Sequence, residues 1–303
     1  MSGKRIAIAI CTFNRESQVK ILLHNISNQT QKPDSIYIVD ASHKKIPDSW
    51  RIPIHELQKK QIKLKIIHTK KGLSRQRNCA VKAIRDSGES DYVLFLDDDV
   101  ILSNDVISKC CSIFDSDSEV IGVGIITEDN RNYSAGSRLS RFFQVTSRHP
   151  GKVLKSGINT PFKIMEDPYE VDWLPGCTMA FRTSLFNKID FDESFGFWGE
   201  DVAFSLKARG FGTLKVFYAK NTLHLRSVIN RDSNARRFTK QIISRLRLRN
   251  RFPKQIKIFW LLTSYSYIAM WKFKSWQLNK LSNGNMRLRM FVIRIRQQIR
   301  SKC

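Results

Sequence analysis

The chain reads as an α/β protein: a mixed, mostly parallel sheet flanked by helices, followed by a basic α-helical extension. Three observations predict this. Short apolar, β-branched runs recur along the first two-thirds of the 303 residues, each bounded by polar residues. Between them, apolar residues repeat at helical spacing, as the crossovers between parallel strands require. Charge, finally, is divided unevenly. Residues 1–201 hold 28 Lys and Arg against 26 Asp and Glu, whereas residues 202–303 hold 24 Lys and Arg against one acid, Asp232. The body is electrically balanced, and the tail is a polycation suited to an anionic partner. Two parts are expected: an α/β domain over 1–227 and a helical region over 228–303.

Strands are expected over Ile6–Cys11, Ser35–Val39, Leu64–His68, Tyr92–Leu96 and Val120–Ile125. Val19, Leu22, Leu23 and Ile26 mark a helix after the first strand, and Cys79, Ala80, Ala83 and Ile84 one after the third. Residues 128–170 are polar and weakly periodic, which predicts an excursion or flexible loop. Apolar patterning resumes at Val171 and holds to about Leu225. In the tail, Arg236–Arg251 sets Phe238, Ile242, Ile243 and Leu246 on one helical face, and Pro253 breaks the pattern. Ile258–Trp271 is rich in Trp, Tyr and Phe; Leu288, Phe291, Val292, Ile295 and Ile299 form a last stripe among arginines. No run reaches the ~20 apolar residues that span a bilayer. The run Ile6–Ile10 is too short for the apolar core of a signal peptide. The six cysteines show neither zinc spacing nor a secreted framework, so a reducing, cytoplasmic compartment is expected.

The residues that carry chemistry cluster at expected strand ends. Asp97, Asp98 and Asp99 follow the apolar run Tyr92–Leu96. Three adjacent carboxylates at a strand terminus are costly unless a cation or hydrogen-bond donors compensate them. A hard divalent ion, Mg²⁺ or Mn²⁺, would do so and could bridge to phosphates; a solvated acidic loop is the alternative. Thr12-Phe13-Asn14-Arg15-Glu16 forms a polar turn between strand and helix, able to offer backbone N–H groups to a nucleotide, without the glycines of a P-loop or dinucleotide fingerprint. Asp40, just past the second strand, could accept from a base or ribose, or simply form a turn. Ser74 could cap a helix, with Arg75 and Arg77 near its positive end. Glu200 and Asp201 follow Trp198-Gly199 at an expected helix start, where acids gain from the dipole and where a general base could stand. His224, after a strand-like stretch, could complete a metal shell or be structural.

In this order, these motifs resemble the family 2 glycosyltransferases of the GT-A fold, from about Ile6 to about Ser227. The resemblance implies an inverting, metal-dependent transfer of a sugar from a nucleotide-diphosphate donor, a UDP-sugar being favoured, to a glycan or lipid-linked acceptor. By that likeness Thr12, Phe13, Asn14, Arg15, Glu16, Asp40, Arg77, Asp97 and Asp98 would serve the nucleotide. Asp99, with His224, would hold Mg²⁺ or Mn²⁺. Asp201 would be the catalytic base, Glu200 would position the acceptor, and Trp198 and Gly199 would border the acceptor site.

The tail admits more than one reading. Dense arginine with aromatics suits nucleic acid, but apolar helical stripes flanked by Arg, with Trp and Tyr near Trp260–Trp271, favour an interfacial helix on an anionic membrane. The enzyme would then lie peripherally at the inner face of the cell membrane. A nucleotidyltransferase would also want paired acids but leaves Glu200, Asp201 and the preceding Trp-Gly without a role, and a nucleic-acid-binding protein leaves the acidic centres unused.

Overall fold

A computed structural model describes residues 4–42, 47–130, 133–195, 198–225 and 234–282. The boundary expected at 227 and the stripe from Leu288 to Ile299 lie outside these residues. The chain divides into two compact units, Met1–Arg131 with Phe162–Ser244, and Asn132–Pro161 with Arg245–Cys303.

The first unit opens with β1 (Ile6–Thr12), α1 (Glu16–Ser27), β2 (Ser35–Asp40), α2 (Arg51–Lys59), β3 (Lys63–His68) and α3 (Leu73–Ser87). It continues through β4 (Tyr92–Asp97), β5 (Val100–Ile101), α4 (Val106–Ser116) and β6 (Val120–Ile126). After α5 (Arg138–Phe142), which belongs to the second unit, come β7 (Tyr169–Glu170), β8 (Thr178–Arg182), α6 (Glu200–Ala208), β9 (Thr213–Tyr218) and β10 (Leu223–His224). Two helices follow, α7 (Asn234–Arg251) and α8 (Ile258–Ser282).

Eight strands form one mixed sheet in the order β3-β2-β1-β4-β8-β6-β9-β7. The first four are parallel, β8 runs antiparallel to both of its neighbours, and β7 is antiparallel to β9. The five expected strands all form, and the reversed β8 is what places a second loop at the carboxyl end of β4. β5 and β10 pair separately, with His224 opposite Val100.

Alternation along the strands explains the two-faced core. Ile6, Ile8 and Ile10 pack on Val19, Leu22, Leu23 and Ile26 of α1, while Ala7 and Ala9 point the other way, toward Ala80, Val81 and Ile84 of α3. The small alanines share that face with bulky rings. Phe95, Phe181, Phe186, Phe191 and Phe204 pack there in edge and stacked pairs, with Phe191 and Phe204 centroids 4.0 Å apart. β3, at one sheet edge, carries only exposed and half-buried residues, and its lysines discourage further pairing.

In the second unit, residues 133–161 are an ordered excursion rather than a structureless loop. Ser137 caps α5 through its hydroxyl, Phe143 stacks on Tyr267 at 5.1 Å, and Phe142 meets Trp260 edge-on at 5.9 Å. Among the described residues of α7 the buried positions are Ser244 and Leu248, whereas Phe238, Ile243 and Leu246 of the expected stripe are exposed. The reason is that apolar residues lie on more than one side of this helix, and packing, not periodicity, selects among them. α8 buries Leu261, Ser264 and Tyr267 and exposes Phe259, Leu262 and Met270. No helix among the described residues is long and apolar enough to cross a membrane.

Candidate active site

Parallel pairing brings the carboxyl ends of β1, β2 and β4 side by side, with Thr12 opposite Asp40 and Cys11 opposite Asp97. Ligands bind at such strand ends in open α/β sheets. The turn after β1 is tight: Asn14 takes φ of 53°, a left-handed conformation tolerated by Asn, and donates its N–H to Ser42 Oγ at 2.7 Å. The buried Gln76 amide donates to the carbonyls of Thr12 and Val39, both at 2.9 Å, and so locks the two strand ends together. A cavity of about 340 Å³ opens here, lined by Thr12, Asn14, Arg15, Glu16, Asp40, Ser42 and Trp50 among others. Asp40 forms the turn, accepting from the Ser42 N–H at 2.8 Å, and lines the cavity as well. Glu16 accepts from the Ser49 hydroxyl. Phe13 is half-buried, with the Lys71 ammonium 3.9 Å above its ring.

The three aspartates face different partners. Asp98 is buried and accepts from Thr12 Oγ1 and from Arg15, each at 2.7 Å. Burial nonetheless pushes its carboxyl up to about 6, against the pull of the Arg15 guanidinium. Asp99 takes Arg15 at 3.3 Å on one oxygen and His224 Nε2 at 3.0 Å on the other. Asp97 is raised by burial, opposed by Arg77 and His224. Oxygens of Asp97 and Asp99 and a ring nitrogen of His224 all lie within 4.8 Å of one another. The β5–β10 pair makes this possible, since the Leu225 N–H donates to the Asp99 carbonyl at 2.9 Å and holds His224 against the acids.

Burial works to discharge His224, but hydrogen bonds to Asp99 and Cys177 and the charge of Asp97 raise it to about 11. A retained proton therefore sits where positive charge is wanted. Two carboxylate oxygens and one imidazole form a donor set suited to a divalent ion such as Mn²⁺, which would release that proton on binding. The residues fit such an ion. Asp97 joins this group, although the sequence reading placed it with the nucleotide.

On the other side of β4, the antiparallel β8 begins where β4 ends. The Asp97 N–H donates to the Cys177 carbonyl at 2.9 Å, which sets Gly176 beside the acidic cluster. The Gly176 N–H in turn donates to Asp201 Oδ2 at 3.3 Å, and Asp201 Oδ1 accepts from the Val202 N–H at 2.8 Å. Asp201 thus sits in the first turn of α6, favoured by its dipole, yet burial raises its pKa. Glu200 is buried and likewise raised by burial and by Asp201. The helix enters through Gly199 at φ of 79°, where a Cβ would lie 2.1 Å from Ser244 Oγ. Only glycine satisfies both conditions. Trp198 is half-buried beside it.

Arg77, expected at the nucleotide, is instead buried, its guanidinium on Glu200 Oε1 at 3.1 Å, on the Gly176 carbonyl at 2.8 Å and 3.8 Å from Asp97. Sequence reasoning missed Gly176 as the backbone donor to Asp201. The Pro175-Gly176 pair announces a turn, but nothing local says which side chain it meets.

Comparisons with known proteins bear on the family and the fold. A family model described as "Glycosyl transferase family 2" matches residues 7–190. The minor teichoic acid biosynthesis protein GgaA of Bacillus subtilis (strain 168) is 24% identical over 225 residues, covering 71% of this chain and 47% of GgaA. The chain therefore spans about half the length of that curated relative. Among solved structures, the mannosyltransferase PcManGT of Pyrobaculum calidifontis, in complex with GDP-Man and Mn²⁺, matches with a TM-score of 0.55 and 15% identity over 89% of this chain and 75% of its own. GalNAc-T7 with UDP, GalNAc and Mn²⁺ matches with a TM-score of 0.58 and 12% identity over 82% of this chain and 48% of its own. These two likenesses establish the fold, a GT-A sheet flanked by helices, and the family match over residues 7–190, more than half of the chain, shows that the chain belongs to glycosyl transferase family 2.

Proposed function

We propose that this protein moves a sugar from a nucleotide-diphosphate donor, a UDP-sugar being favoured, to an acceptor hydroxyl with inversion at the anomeric carbon. The observation that carries the reading is a single constellation. Asp97, Asp99 and His224 converge at the end of β4, the nucleotide-sized cavity lies beside them at the ends of β1 and β2, and Asp201 stands across β8. Asp201 takes the proton of the acceptor hydroxyl. The acceptor oxygen forms the new bond to the anomeric carbon as the bond to the diphosphate oxygen breaks on the opposite face. A divalent ion, Mg²⁺ or Mn²⁺, held by Asp97, Asp99 and His224 would neutralise charge on the departing diphosphate. Thr12, Arg15, Asp40 and Asp98 would hold base and ribose, and Trp198 would border the acceptor. The role of GgaA in teichoic acid biosynthesis supports a polysaccharide or lipid-linked acceptor.

A thermal-shift series with UDP, GDP, CDP and dTDP, each with Mn²⁺ or EDTA, tests the donor site. One nucleotide, UDP in the first instance, should raise the melting temperature in Mn²⁺ and not in EDTA. A folded protein unmoved by all four would remove the donor reading.

The second unit supports a place at an anionic membrane, at the inner face of the cell. α8 leaves Ile258, Phe259, Leu262, Met270 and Trp271 exposed, and no acid occurs from Ser233 to Cys303. Apolar side chains can enter the interface while arginines meet lipid phosphates, at ~1 kcal/mol per basic residue. The full chain should co-sediment with vesicles containing phosphatidylglycerol far more than with pure phosphatidylcholine, and Phe259→Ser with Leu262→Ser should weaken binding by about tenfold or more. Equal sedimentation with both vesicles would refute the membrane reading.

A further inference from the structure

The buried cation Arg77 has a different task from the one its basic neighbourhood suggests. It lies on α3 with Arg75, and a surface pair of arginines near a helix start would meet an anionic ligand. Arg75 is indeed half-exposed and paired with Glu193 at 2.9 Å. Arg77, however, is 2% exposed, and the cavity between β1 and β2 is not lined by it. Its Nη1 donates to Glu200 Oε1 at 3.1 Å, and its Nη2 donates to the Gly176 carbonyl at 2.8 Å and lies 3.8 Å from Asp97 Oδ1. The Phe191 ring, with its centroid 5.4 Å from the guanidinium carbon, closes one face.

These partners belong to three segments that the chemistry must hold in register. Asp97 ends β4 on the donor side. Gly176 precedes β8 and gives its N–H to Asp201. Glu200 begins α6 immediately before Asp201. A planar, permanently charged fork is the side chain that can bridge a carbonyl and two carboxylates at once, which a lysine cannot do with the same directions. Gly176 is also tightly enclosed: a Cβ there would stand 3.1 Å from the Asp201 carboxylate and 3.4 Å from Arg77 Nη2.

We infer that Arg77 is a positioning residue rather than a nucleotide ligand: it ties the donor-side strand end to Gly176 and Glu200 and so fixes the carboxylate of Asp201. The inference rests on the proposed role of Asp201 as base. It also accounts for Glu200, a buried acid whose Oε1 is spent on Arg77 while its Oε2 has no hydrogen-bond partner among the described residues. Glu200 thereby acts through the guanidinium instead of reaching the acceptor directly.

The test separates binding from turnover. For Arg77→Gln in the full chain, the affinity for UDP with Mn²⁺ should stay within about threefold of the parent, and the donor KM likewise, while kcat falls by about 100-fold or more. Arg77→Lys should recover only a minor part of that loss. Arg77→Gln combined with Glu200→Gln should be more stable to denaturant than Arg77→Gln alone, because no unpaired carboxylate is left buried. If Arg77→Gln fails to fold, Gly176→Ala carries the same expectation, an unchanged nucleotide affinity with a lowered kcat. A tenfold or greater loss of UDP affinity in either variant with kcat retained would overturn the inference. Failure of the base assignment is read separately, from the turnover of Asp201→Asn.

Discussion

Replacing Asp201 by Asn is expected to lower kcat for sugar transfer by about 10²–10⁴-fold, the range attributable to a positioned general base, with nucleotide binding nearly unchanged. Asn keeps the shape but offers one oxygen, so either the Gly176 or the Val202 N–H keeps its acceptor while the other faces the amide NH2. What is lost is the ability to take a proton. The carboxylate is half-buried beside Glu200, and desolvation raises its pKa above that of an ordinary aspartate. A base must be ionised, so activity in the parent should fall as pH drops through that raised value, at a higher pH than a solvated aspartate would give. Steady-state kinetics over pH, with UDP affinity measured in parallel by calorimetry, check both statements. Turnover retained in Asp201→Asn would remove this residue as the base and leave the inverting mechanism without one.

Asp99→Ala is expected to abolish the metal-dependent part of nucleotide binding. The carboxylate of Asp99 is 5% exposed and engages both Arg15 and His224, so it stands between the cation of the protein and the site proposed for a divalent ion. A ligand at 100 times its Kd stabilises the fold by about 2.7 kcal/mol, and most of that gain should disappear in the variant. The same nucleotide in EDTA should then shift parent and variant alike. A variant that keeps the full Mn²⁺-dependent shift would show that the cluster of Asp97, Asp99 and His224 does not hold the ion. The two variants are complementary, since one removes turnover at constant affinity and the other removes affinity first.

Much of the fold was legible in the chain because strands and helices write different periods. Ile6, Ile8 and Ile10 on one face and Ala7 and Ala9 on the other are visible as alternation, and the structure sends them to opposite layers. The acids of the site were legible for a related reason. Asp97–Asp99 follow an uninterrupted buried run, and three carboxylates at the end of such a strand are costly without a compensating partner. Where side chains repeat on several sides, as along α7 and α8, the sequence left the buried face open, and packing of Leu248, Leu261 and Tyr267 decided it.

Local sequence, then, determined the α/β class, the position of the strand ends, the aspartates at β4, the Glu200-Asp201 pair and the polycationic tail. Their assembly belongs to tertiary structure alone. Pairing of Asp99 with His224 spans 125 residues and depends on two short strands of two residues each, too brief to announce themselves. The burial of Arg77, the reversal of β8 and the meeting of Gly176 with Asp201 depend on which strand lies beside β4. That choice is settled by contacts between segments far apart in the chain, whose energies no local pattern records.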